Sequence, residues 1–172
     1  MRIIIDWCDW TGKTTLIKEL KKILPKMKVI KFWPPKTEDP YSEWIEYYTP
    51  WNKKYIWDDV ILDRCWISEV IYWKMFNRKP MTLDQQVDFI YETKDDLYII
   101  TYTNIDNIEE VFKKRWEDFI NIWQASHINY YFKKFWKKLK ENDINVVFYD
   151  FKKYENNVNL FVKKLLKWNM IH

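Results

Sequence analysis

The stretch from Ile3 to Leu20 constrains this chain most. It reads Ile3-Ile4-Ile5-Asp6-Trp7-Cys8-Asp9-Trp10-Thr11-Gly12-Lys13-Thr14-Thr15-Leu16 and continues in a helical pattern to Leu20. A short apolar run predicts a buried strand. A loop follows, and Gly12-Lys13-Thr14 opens a helix. Strand, loop and helix in that order are the setting of a phosphate-binding loop. Backbone N–H groups at the helix start cradle phosphate, and the helix dipole favours negative charge there. Lys13 is placed to reach the outer phosphates and the Thr14 hydroxyl to ligate Mg²⁺. A plain strand-turn-helix is the competing reading of the same residues.

The loop lacks glycine where the pattern asks for it. Six residues before Lys13 stands Trp7, and tryptophan neither enters positive φ readily nor lets a phosphate come close. The whole chain carries the same anomaly. It holds 12 Trp and 1 Gly in 172 residues, where average usage of about 7% predicts about 12 glycines. Trp7 and Trp10 fall in the loop, Trp51 follows Thr49-Pro50 in a turn setting, and Trp168 precedes Asn169 after a Lys-rich helix. The pattern predicts that many of these positions are glycine in the native protein. A UGA codon read as Trp by the standard table and as Gly by the source cell is one route, and deliberate substitution is another. A Trp-rich protein with aromatic surface anchors is the alternative.

The remaining bulk properties narrow the class. The length predicts one domain, 1–172, with room for a real core. Apolar residues make up 48% and charged ones 31%, which predicts a soluble globular chain. No run approaches the ~18 apolar residues of a membrane span, and the N-terminus has no signal-peptide layout, so the cytoplasm is expected. Cys8 and Cys65 predict reduced, buried thiols, and His127 with His172 make no zinc site. A net charge of +4 suits anionic substrates without demanding nucleic acid, and the Lys pairs read as solvated helix faces.

Further along, strands are expected at 28–32, 59–63, 97–102 and 145–149, after the first at 3–5. Helices are expected at 13–24, 41–48, 67–76, from Thr82 onward, 106–119, 124–140 and 157–167. Leu16, Leu20, Ile23 and Leu24 share one face of the first. Thr82 with Gln85 forms a capping box, and the helix it opens carries Leu83, Val87, Ile90 and Tyr91. Strands alternating with helices five times predict an α/β three-layer sandwich: a five-stranded parallel sheet with helices on both faces. Sites in such folds lie at the carboxyl ends of the strands. The phosphate loop, Phe32 and Asp63-Arg64 are all expected at that edge.

With these residues assembled, the chain resembles the thymidylate kinase family of P-loop nucleoside monophosphate kinases over nearly its whole length. Residues 6–15 are similar to the family's G-x-D-G-x-G-K-T-T, with Trp at two of its glycines. Asp63-Arg64-Cys65-Trp66-Ile67-Ser68-Glu69-Val70-Ile71-Tyr72 resembles D-R-x-x-x-S-x-x-x-Y, and Trp73 follows where phage-type members often carry Gly. Phe32-Trp33-Pro34-Pro35 resembles the acceptor-side loop of the phage-like branch, and Arg115-Trp116-Glu117-Asp118 the R-G-E/D stretch of the lid, here about 104–124. The departures are the tryptophans and a short lid with one Arg where many members have several.

The resemblance implies transfer of the ATP γ-phosphoryl, with Mg²⁺, to a deoxynucleoside monophosphate, dTMP first among them. It implies that Trp7, Asp9, Trp10, Thr11, Gly12, Lys13, Thr14 and Thr15 form the ATP loop, and that Thr14 and Asp63 attend the metal. Arg64 would hold the acceptor phosphate, Asp9 the acceptor sugar hydroxyl, and Phe32 and Tyr72 the base or sugar. Arg115 would close from the lid onto the transition state. A homodimer is implied, with no membrane or nucleic-acid partner. Duller readings stay open: a strand-end ion pair at Asp63-Arg64, core aromatics at Phe32 and Tyr72, a turn former at Asp9 and a surface cation at Arg115.

Two rival functions follow from the same residues. Deoxynucleoside kinases resemble this family but place a Glu base near the end of the second strand, where this chain has Lys31-Phe32-Trp33. Genuine tryptophans at 7 and 10 would fill the phosphate site and leave a catalytically dead P-loop protein that stacks single-stranded nucleic acid. Lys and Trp do not interleave in a compact patch as that role requires.

Overall fold

The computed structural model describes residues 2–7, 11–32, 39, 41–42, 45, 59–73, 79–103, 110, 121–154 and 156–169. Strand β1 (Arg2–Asp6) leads through the loop into α1 (Lys13–Ile23), and β2 (Lys28–Lys31) follows. β3 (Val60–Asp63) leads into α2 (Trp66–Tyr72), then α3 (Leu83–Glu92) and β4 (Leu97–Tyr102). The chain closes with α4 (Ile122–Glu141), β5 (Val146–Asp150), α5 (Phe151–Tyr154) and α6 (Val158–Asn169).

The five strands form one sheet in the order β2-β3-β1-β4-β5, with every pair parallel. The expected architecture is therefore the observed one. The register aligns Ile5 with Asp63 and Asp6 with Ile100, so β1 and β3 end within one residue of each other at the carboxyl edge, and β4 runs on to Tyr102.

Two cores flank the sheet, because side chains alternate across it. On one face Ile3, Ile5, Ile61 and Ile99 pack against Leu16 and Leu20 of α1 and Phe161, Val162 and Leu165 of α6. On the other face Ile4, Leu62, Tyr98 and Ile100 pack against Trp66 and Tyr72 of α2, Phe89 of α3, and Ile128 and Phe132 of α4. The connection after β1 thus runs to one face and that after β3 to the other. Such a divergence between neighbouring parallel strands opens a crevice at their carboxyl ends, and the loop before α1 meets Arg64 there.

Several local expectations need adjustment. The box of Thr82 and Gln85 is formed in both directions, and a second joins Asn121 and Gln124 at the start of α4. On α3, however, Leu83, Val87 and Tyr91 are exposed, and Phe89 is the buried anchor. The helix α5 was not expected. It starts where Asp150 Oδ1 accepts from the Lys153 backbone N–H at 3.1 Å, a local side-chain cap. Most of the expected helix at 106–119 and of the one at 41–48 lies outside the described residues, as does most of the lid at 104–124. No helix among the described residues is long and apolar enough to cross a membrane.

Candidate active site

The candidate phosphate loop follows the end of β1. Gly12 caps α1 with φ of 78°, a left-handed conformation that glycine enters without a Cβ penalty. Its bare Cα is also needed for space, since a Cβ there would lie 2.3 Å from Cδ2 of Phe151. The side chain of Lys13 folds back over the loop and donates from Nζ to the Trp7 carbonyl at 2.9 Å. Thr11 is buried and shares a 2.5 Å hydroxyl contact with Thr101 on β4, pinning the loop to the neighbouring strand. Thr14 and Thr15 are exposed at the first turn of α1.

Beside the loop lies the turn after β3. Arg64 is buried and takes φ of 75°, unusual for a residue with a Cβ. Its backbone N–H donates to the Ile5 carbonyl at 2.8 Å, which welds the turn to β1. The Arg64 guanidinium carbon lies 5.9 Å from the centre of the Tyr72 ring. Asp63 and Phe32 are half-buried at the same edge, and the Phe32 N–H donates to the Asp63 carbonyl. Tyr72 is buried, edge-on to Phe132 at 6.3 Å.

A residue that sequence reasoning missed holds these two turns together. Asp6 is fully buried, and its carboxylate accepts from the Trp7 N–H at 2.8 Å and the Ser68 hydroxyl at 2.6 Å. It also accepts from the Cys65 and Ser68 N–H groups at 3.2 and 3.1 Å, and from the Cys65 thiol at 3.0 Å. A carboxylate at a helix N-terminus is favourably placed for those N–H groups. Burial raises the Asp6 pKa, against the pull of its hydrogen bonds to Cys65 and Ser68 and of the nearby Arg64 and Lys13 charges. Burial, the Asp6 charge and its hydrogen bond push the Cys65 thiol well up, so it behaves as an inert neutral donor. The signal in the sequence was an acid at the end of an otherwise apolar strand.

Of the expected site residues, Lys13, Gly12, Thr11, Thr14 and Thr15 are gathered with Asp63, Arg64, Phe32 and Tyr72 at the carboxyl edge. Trp7 contributes its carbonyl to the loop, but its indole turns away. The ring is buried against Phe132 at 4.8 Å on the α2/α4 face, where its Nε1 donates to Asn129 Oδ1. The expectation that this tryptophan fills the phosphate site is corrected by that placement. Cys8, Asp9, Trp10 and Arg115 lie outside the described residues.

The chemistry of these groups fits a nucleotide phosphate. A left-handed glycine at the start of a helix, the backbone N–H groups of that first turn and one flexible cation are the parts from which an anion cradle is made. Thr14 and Asp63 supply the oxygen donors that Mg²⁺ prefers. Among the described residues no cluster of three His, Cys, Asp or Glu could hold a different metal.

No protein-family model and no curated protein matches the chain. Solved structures do. The YorR protein of Bacillus subtilis, in complex with phosphorylated GDP, superposes with a TM-score of 0.77 at 18% identity, covering 100% of this chain and 99% of that one. Deoxyadenosine kinase of M. mycoides with bound dCTP gives 0.61 at 20% identity, covering 97% and 100%. Thymidylate kinase of Candida albicans gives 0.57 at 19% identity, covering 99% and 90%. The fold is thus an α/β fold, a five-stranded parallel sheet with helices on both faces, of the kind these P-loop kinase structures have. More narrowly, the chain has the fold shared by nucleoside and nucleoside monophosphate kinases.

Proposed function

We propose that this protein transfers the γ-phosphoryl group of ATP to a deoxynucleoside monophosphate, with dTMP the first candidate. The observation that carries the reading is the pair of buried cations on either side of one crevice. Lys13 lies on the loop after β1 and Arg64 on the turn after β3, both close enough to Asp6 to act on its charge. Phosphoryl transfer needs two anions brought into line and little covalent chemistry. Lys13 binds the donor phosphates and Arg64 the acceptor phosphate, whose oxygens match its planar fork. Bound Mg²⁺ supplies further neutralisation of the donor phosphates, held by Thr14 and Asp63. Phe32 and Tyr72 orient the acceptor, Asp9 takes its sugar hydroxyl, and Arg115 completes the site from the lid. We place the protein in the cytoplasm, as a dimer.

The deoxynucleoside kinase reading is kept because a deoxyadenosine kinase structure is similar in fold over 97% of this chain. Lys31-Phe32 at the end of β2, without a carboxylate, favours the monophosphate. ADP release with dTMP against thymidine separates the two. Turnover of thymidine alone overturns the monophosphate assignment. Turnover of neither, with salt-dependent binding of an oligonucleotide, moves the nucleic-acid reading forward.

We also propose that Trp7 stands at a glycine position. Its φ of 155° supports this. The codon is the test: UGG at all 12 Trp positions ends the recoding idea, and UGA at them supports it.

A further inference from the structure

Along β1, Ile3 and Ile5 face α1 and α6, while Ile4 faces α2 and α4. Strict alternation sends residue 7 toward α1. Its φ of 155° turns the side chain the other way, through a region that glycine enters freely and other residues rarely. The indole ends fully buried in the cluster that holds Tyr72 and Phe132. It lies at 31° to Phe132 with ring centres 4.8 Å apart, and Nε1 donates to Asn129 Oδ1 at 2.9 Å. Phe132 meets Tyr72, and Tyr72 meets the Arg64 guanidinium. A planar heteroaromatic ring with one N–H donor therefore sits one aromatic layer from the acceptor cation, packed on a phenyl ring and read by an amide.

We propose that Trp7 is an internal plug. Its indole occupies a ring-binding subsite formed by Phe132 and Asn129 of α4 and Tyr72 of α2. Glycine at position 7 opens that subsite to the base of the acceptor nucleotide. The base it suits presents an N–H to the Asn129 carbonyl oxygen. Protein interiors are too stiff to close fully over a deleted ring, and an apolar cavity of about 150 Å³ stays dry and takes an aromatic ligand. The proposal rests on the acceptor reading of Arg64, and it adds the residues that recognise the base.

The test titrates the full-length Trp7→Gly chain with indole, then with benzofuran, which has the same shape without the N–H. Calorimetry and thermal melting read binding, dTMP serves as competitor, and ADP release from ATP is followed in parallel. Indole is expected to bind the glycine variant and not the unsubstituted chain, and to raise its melting temperature. Benzofuran is expected to bind about fivefold more weakly, the worth of one neutral hydrogen bond. Asn129→Leu removes that difference, and dTMP displaces indole. If the glycine variant does not fold alone, indole in the refolding buffer is expected to restore it.

A folded variant that takes up no indole overturns the plug, as does bound indole that dTMP does not displace, or failure of indole to restore folding. The transfer reading fails separately. Binding of indole and dTMP without ADP release leaves the plug standing and removes the kinase. ADP release with the same KM for dTMP in both chains leaves the kinase standing and removes the plug.

Discussion

The Asp6 carboxylate accepts the Ser68 hydroxyl at 2.6 Å, and this contact joins the end of β1 to the first turn of α2 across 62 residues of sequence. Between them stands Arg64, held in its left-handed conformation by the Ile5 carbonyl on one side and the Asp6-bonded Cys65 N–H on the other. Strained backbone of this kind persists only where its surroundings over-determine it.

Removing that support loosens Arg64, the cation proposed to hold the acceptor phosphate. Asp6→Ala leaves the Trp7, Cys65 and Ser68 N–H groups without their acceptor and is expected to destabilise the fold by about 3–5 kcal/mol. Ser68→Ala removes the one hydroxyl bond to a charged acceptor, keeps the backbone N–H bond and costs about 1.5–3 kcal/mol. In an active chain Ser68→Ala raises the KM for the acceptor and leaves that for ATP unchanged. Urea denaturation and the two KM values check this, and equal rises in both count against a role at Arg64.

Gly12→Ala meets two separate obstacles. Its φ of 78° disfavours any Cβ, and Phe151 Cδ2 stands 2.3 Å from where that Cβ would be. Overpacking of this kind costs about 1–3 kcal/mol, with roughly 1 kcal/mol more from the backbone. Adding Phe151→Ala in the same chain removes the steric part only. A double variant no more stable than the sum of the two singles shows that Phe151 is not the obstacle.

Lys13→Met keeps the aliphatic stem and deletes the charge. The Lys13 Nζ donates to the Trp7 carbonyl at 2.9 Å, and loss of one such bond costs about 1 kcal/mol. ADP release falls about 10²–10³-fold, as for other single electrostatic groups. Lys13→Arg does not restore it, because a guanidinium fork cannot replace a compact ammonium at the loop. Full activity in either variant removes Lys13 from the mechanism.

Asp96 sets a pH dependence of stability. Burial pushes its carboxyl up to about 6, although the Arg2 guanidinium donates to it at 2.8 Å and pulls the other way. A carboxyl with a raised folded-state pKa binds its proton more tightly when folded. Its contribution is therefore fully present below about pH 3.9, the unfolded value, and is lost as pH rises through 6. The loss amounts to at most about 3 kcal/mol, and Asp6, also raised by burial, acts in the same sense. The stability difference between Asp96→Asn and the unsubstituted chain is expected to shift in favour of the variant from pH 4 to 7. A difference that stays flat over that range shows that Asp96 does not titrate in it.

Most of the fold could be read locally. All five strands fall within a residue or two of their expected bounds, because each writes its own apolar run. The box at Thr82 was legible because both partners lie within one helical turn. The apolar stripe on α3 shows where local reading stops. Period alone says that Leu83, Val87 and Tyr91 share a side, and not what covers it; in the structure that side is exposed.

The site divides the same way. Gly12-Lys13-Thr14 and Asp63-Arg64 declare themselves, since each is a contiguous motif at a strand end. Asp6, Asn129 and Phe151 did not, and Ser68 stood only as a motif position without a role, because each matters through a partner far away in sequence: Asp6 with Ser68, Trp7 with Asn129, Phe151 with Gly12. The sequence by itself determined the alternation of strand and helix, the Gly12-Lys13-Thr14 helix start and the excess of tryptophan at glycine settings. Only the tertiary structure decided the order β2-β3-β1-β4-β5, the crevice between β1 and β3, and the face on which the Trp7 indole lies. Those depend on which crossovers bring distant segments together and on one backbone angle at the end of β1. No local pattern of side chains encodes either.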